Sequence, residues 1–139
     1  MRALLGLLAG IVAGLVGMFV IGAIAKYVAP VHGAMRVDTL AEVINAQSIG
    51  ALAMLLLSWG VGALAAMWAA RTVARAAWPG WTLAVLLALA LASTFVFALP
   101  LWFKLAAVLA PLIGGAIGSA LAPLPAPPLA DEADARPPA

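Results

Sequence analysis

The chain has no cysteine. Disulfide staples, thiolate metal sites and lipid attachment at cysteine are all excluded. Charge is nearly as scarce. Asp, Glu, Lys and Arg together make 9% of the 139 residues, against about 25% in a soluble domain. A domain with so thin a polar coat would aggregate in water, so lipid is its solvent. There is one histidine, and the seven basic residues stand singly or in pairs. That scatter offers no basic patch and excludes nucleic acid as a partner. No phosphate loop, dinucleotide fingerprint or nucleophile elbow occurs. The chain is therefore read as non-enzymatic, with no catalytic, cofactor-binding or metal-binding residues and no cofactor.

What is abundant is apolar: 67% of residues are hydrophobic. They concentrate in four runs, residues 4–25, 49–70, 81–99 and 105–121, none of which contains a charged residue. A helix of about 20 apolar residues crosses about 30 Å of hydrocarbon. The expected fold is all-α: a polytopic membrane protein, a four-transmembrane-helix bundle with a short interfacial helix after helix 1. The helices are expected over about residues 4–28, 48–70, 80–99 and 102–121, forming one domain over residues 1–122. Residues 123–139 change abruptly to a Pro/Ala-rich composition with too little apolar surface to fold, and are read as a disordered tail. The start, Met1-Arg2 and an apolar run, has the look of a secretory signal, and Ala23-Ile24-Ala25 that of a cleavage site. The run is longer than the about 7–15 residues of a signal core, so it is read as the first transmembrane helix.

Several residues punctuate the pattern. Thr39-Leu40-Ala41-Glu42 fits a capping box, and Leu40, Val43, Ile44 and Gln47 follow at helical spacing. This segment either lies on the membrane surface or extends helix 2. In the second case a helix over residues 39–70 would be about 48 Å long, so a bend near residues 48–50 is expected. Helix 2 ends at Arg71 and Arg75, Trp78-Pro79-Gly80-Trp81 makes the next turn, and Pro100 terminates helix 3. Pro111 falls inside helix 4, where it removes one backbone hydrogen bond. The basic residues set the orientation. Arg2, Arg71, Arg75 and Arg136 fall on one side, and Lys26, Arg36 and Lys104 on the other. The pair in the second loop favours both termini in the cytoplasm. Trp68, Trp78 and Trp81 mark one interface, and Tyr27 and Trp102 the other.

Gly6, Gly10 and Gly14 are each four residues apart, G-x-x-x-G twice over. Glycines at this spacing make a flat strip that a second helix can approach closely. Gly114 and Gly118 repeat the device on helix 4, as do Gly115 and Ser119. Helix 2 offers Ser58, Gly62, Ala66 and Ala70, and helix 3 offers Ala84, Ala88 and Ala92. Such faces serve packing within the bundle. Alternatively one of them, that of helix 1 first, docks a second copy or a partner.

Polar groups at membrane depth are few. Gln47 and Ser58 are eleven residues apart, three helical turns, and so are expected to share a face. With Ser93 and Thr94 they form a candidate polar lining. The competing expectation is that each hydroxyl bonds a carbonyl one turn back on its own helix. Trp59, near mid-membrane, either packs or lines a small apolar site. Lys104 is expected to reach the interface. His32, Arg36, Asp38 and Glu42 are the one group with catalytic residue types, but their spacing matches no metal or catalytic site.

Asp38-Thr39-Leu40-Ala41-Glu42, Ile49-Gly50-Ala51-Leu52, residues 58–65 (Ser-Trp-Gly-Val-Gly-Ala-Leu-Ala) and Leu99-Pro100-Leu101-Trp102-Phe103 together resemble a group of small bacterial four-helix membrane proteins. The likeness covers about residues 1–122. It implies a bacterial inner membrane. The group has no assigned function, so no residue role is carried over. Small multidrug transporters would require a carboxylate within helix 1, and fluoride channels a polar and phenylalanine pattern that this chain lacks. The expected function is an accessory or structural membrane subunit that packs through small-residue helix faces, as a homo-oligomer or in a larger complex. The alternative is a small oligomeric channel or transporter.

Overall fold

A computed structural model describes residues 1–29 and 40–123. The helices are α1 (Arg2–Val28), α2 (Leu40–Asn45), α3 (Ile49–Ala74), α4 (Trp78–Ala92) and α5 (Leu101–Leu121), with a 3-10 turn over Ser93–Val96. No strand occurs among the described residues. Leucine and alanine are strong helix formers, and in lipid a helix satisfies every backbone group within the segment. Four segments are long and apolar enough to cross a membrane: α1, α3, α4 with its 3-10 extension, and α5. The fold is thus an all-helical bundle of four apolar helices, with the short α2 after the first.

The ends of the helices differ from expectation in ways that have causes. Ser48 has an extended backbone and its hydroxyl accepts from the Ala51 N–H at 3.2 Å. That cap starts α3 and separates it from α2, so residues 40–47 do not extend α3. Thr39 of the expected capping box lies outside the described residues. At its other end α3 runs on to Ala74, one turn past the expected stop, and finishes with Arg75 in the left-handed conformation at φ 54°. Trp78-Pro79-Gly80 is the first turn of α4 rather than a loop. Proline suits that turn because its missing N–H would be unpaired there anyway. The α-helix of α4 stops at Ala92, short of the expected 99. Ser93 and Thr94 turn their hydroxyls onto the Ala90 and Leu91 carbonyls at 2.6 and 2.7 Å, and such bonds compete with helix continuation. Phe97 is then extended and Pro100 becomes the cap residue of α5. α5 continues unbroken through Pro111, whose ring is buried.

The helices alternate in direction along the chain. α1 and α5 pack on different faces of α3, and α4 lies between them, with Gly80 against the fully buried Met67 of α3. At the α2 end, Ile44, Leu52, Leu99 and Phe103 form an apolar cluster joined by Trp59 and Phe97. The Phe103 ring lies 6.1 Å from Trp59 and edge-on to Trp102 at 5.8 Å. The Asn45 amide donates to the Ala98 carbonyl at 3.0 Å. Ile44 and Asn45 therefore fasten α2 across the loop between α4 and α5. The tail expected to be disordered lies, from residue 124 on, outside the described residues.

Candidate functional site

Gly6, Gly10 and Gly14 are the buried residues of α1. A Cβ on Gly6 would sit 3.0 Å from the Ala70 carbonyl oxygen and 2.6 Å from the Ala74 side chain. On Gly10 it would sit 2.9 Å from the Ala66 oxygen, and on Gly14 3.2 Å from the Gly62 oxygen. α1 is thus seated directly on the α3 backbone. Gly62 in turn receives Met18 and Gly14. On α5, a Cβ at Gly114 would collide with the Gly60 backbone, and one at Gly118 with that of Leu64. The strip on α1 is therefore occupied by α3 of the same chain, and a second chain could use it only by displacing α3. Gly60 and Gly80, each lying under a neighbouring helix, belong to no G-x-x-x-G pair, so spacing does not single them out.

The candidate polar residues do not converge. Gln47 precedes α3 and its amide donates to the Val43 carbonyl at 2.8 Å. It does not share an α3 face with Ser58, because the Ser48 cap breaks the helix between them. Ser58 is buried, and its hydroxyl donates to the Leu55 carbonyl at 2.7 Å. Ser93 and Thr94 occupy the 3-10 turn with the bonds given above. Lys104 stands at that turn, with Nζ 3.4 Å from the Phe95 carbonyl oxygen and 5.7 Å from the centre of its ring. Glu42 is exposed in the first turn of α2. His32, Arg36 and Asp38 lie outside the described residues.

Concavities open between the helices, and the two larger ones lie on either side of α3. One, of about 310 Å³, separates α1 from α3 and is lined by Gly22, Ala25, Lys26, Met54, Leu55 and Ser58, with Ala51. It opens at Gly22, where a Cβ would meet nothing within 4 Å, between the close approaches of Gly17 to Val61 and of Gly50 to Ala29. Lys26 makes no hydrogen bond or ion pair among the described residues. The other, of about 580 Å³, is a wholly apolar groove between α3 and α5, floored by Gly60 and Gly114 and walled by Leu57, Leu64, Leu109 and Ile113.

At the opposite end of the bundle, Arg71 reaches from α3 to α5. Its Nη1 donates to the Ser119 hydroxyl at 2.8 Å and also to the Ser119 backbone carbonyl. The last carbonyls of a helix lack intrahelical donors, and a cation there also meets the negative end of the helix dipole. Sequence reasoning assigned Arg71 to a loop and Ser119 to a small-residue face. The available signal was an arginine of the second-loop pair and a hydroxyl, both near helix ends on the same side. No protein-family model, curated protein or solved structure matches the chain.

Proposed function

We propose that the chain is a non-enzymatic multi-pass protein of a bacterial cytoplasmic membrane, acting as an accessory or structural subunit of a larger membrane assembly. One observation carries this reading. Glycine approaches at Gly10 on Ala66, Gly80 on Met67, Gly114 on Gly60 and Gly118 on Leu64 lock four crossings into one unit, leaving large aliphatic and aromatic side chains outward. Leu8, Val12, Leu15 and Phe19 on α1 and Leu109 and Ile113 on α5 are exposed. Such an exterior presents shape to lipid and to neighbouring helices, and association there is driven by packing. The hydroxyls support the same reading. Ser58, Thr72, Thr82, Ser93 and Thr94 each donate to a carbonyl three or four residues back, which leaves them turned onto their own segment rather than onto a shared polar path.

The orientation we propose has both termini in the cytoplasm. Gly6 packs beside Ala70 and Ala74, so Arg2, Arg71 and Arg75 gather at one end, with Lys26 and Lys104 at the other. Excess arginine and lysine favours the cytoplasmic side.

Quantitative membrane proteomics of a strain lacking the chain tests the role. A structural subunit stabilises its neighbours, so at least one other membrane protein is expected to fall severalfold in abundance at unchanged transcript level. A membrane proteome unchanged apart from the deleted chain would contradict the proposal.

A further inference from the structure

We propose that the cleft between α1 and α3 binds an anionic phospholipid, with the headgroup phosphate at Lys26 and one acyl chain lying along the cleft toward Ser58. Three observations meet here. The walls are apolar, built from Gly22, Ala25, Ala51, Met54 and Leu55, which suits a hydrocarbon chain. Lys26 lines the cleft in the last turn of α1 and has no hydrogen-bond or ion-pair partner among the described residues. A lysine at the end of a crossing reaches headgroup level, where its ammonium can donate charge-assisted hydrogen bonds to a lipid phosphate. The shape completes the case. From Ala51 to Ser58 the cleft extends about 10 Å along α3, so a chain entering beside Lys26 runs parallel to the helices as a bilayer lipid does.

The bulk annulus does not provide the same fit. The larger groove between α3 and α5 offers hydrocarbon walls but no cation, whereas this cleft carries Lys26 and is open at Gly22, where a side chain would otherwise stand. The inference goes beyond the role proposed above and holds for the chain with or without a partner subunit.

The test uses the full chain in detergent micelles with added dioleoylphosphatidylglycerol, read by native mass spectrometry and by thermal stabilisation, since a ligand that binds only the folded state raises its melting temperature. One bound phosphatidylglycerol per chain is expected, in preference to phosphatidylcholine. Lys26→Gln is expected to weaken binding about fivefold, the worth of about one surface lysine, and Lys26→Arg to retain it. Gly22→Leu is expected to abolish binding by filling the cleft; it adds its side chain into open space, so its own melting temperature without lipid serves as the folding control. Lys104→Gln, the same charge change at the same end, is expected to leave binding unchanged. Inorganic phosphate alone is expected to give no stabilisation. Equal weakening by Lys104→Gln and Lys26→Gln would overturn the proposal. So would wild-type binding in a folded Gly22→Leu variant, or stabilisation by inorganic phosphate equal to that by the lipid.

Discussion

Arg71, in the last turn of α3, holds Ser119 near the end of α5 through one guanidinium nitrogen that serves both the hydroxyl and the backbone carbonyl of the same residue. The two residues are 48 positions apart in sequence. α3 and α5 run in the same direction and have no direct connection. This contact closes their common end, while Gly114 and Gly118 set how near they lie along their length. Arg71→Ala is expected to cost about 1–2 kcal/mol, the lower range for hydrogen bonds to a charged group because the side chain is only half-buried. Ser119→Ala removes only the hydroxyl bond and is expected to cost less than half as much. Thermal melting in detergent ranks the two, and an Arg71→Ala variant as stable as wild type would show that the contact carries no net stability.

Gly114 and Gly22 are opposite cases on the same kind of helix. Gly114→Ala forces a methyl into the Gly60 backbone, so α5 must move outward, at an expected cost of about 1–3 kcal/mol. Gly22→Ala adds the same methyl where nothing lies within 4 Å, and is expected to be neutral or to gain up to about 1 kcal/mol from helix propensity. Melting temperatures of the pair check this. Equal loss in both would mean that the effect is one of local propensity and not of helix approach.

Phe103 is fully buried in the cluster that also holds Ile44. Phe103→Ala is expected to cost about 3 kcal/mol and to release α2 from the bundle. Hydrogen exchange should rise in the backbone of residues 43–47 while the glycine strip of α1 stays protected. Unchanged exchange in α2 would contradict its attachment through this cluster.

The absence of cysteine makes orientation directly readable. Val96 and Arg75 are exposed at opposite ends of the bundle. In spheroplasts, an impermeant maleimide is expected to label Val96→Cys at once and Arg75→Cys only after lysis. The reverse pattern would invert the proposed topology.

The parts of this fold that were legible in sequence are those decided locally. Hydropathy is a property of neighbouring residues, so four crossings could be read directly. Spacing identified Gly6, Gly10 and Gly14 as one face, because 3.6 residues per turn is intrinsic to the helix. It did not show that the face meets Ala66 and Ala70 of α3, which depends on how the chain returns. The face assigned to Gln47 and Ser58 failed because a single cap at Ser48 ends one helix and starts another. Trp78-Pro79-Gly80, which has turn composition, forms a helix start instead, with Gly80 under Met67 leaving room for nothing larger. Arg71 with Ser119, and Lys26 beside the cleft, arise from pairs of elements and have no signature in either stretch alone.

The most direct measurement is native mass spectrometry of the protein released gently from its own membrane. A defined heteromeric mass is expected, containing this chain in fixed ratio to at least one other membrane protein. A mass corresponding to the chain alone, as a monomer or as a homo-oligomer without other proteins, would contradict the proposed role.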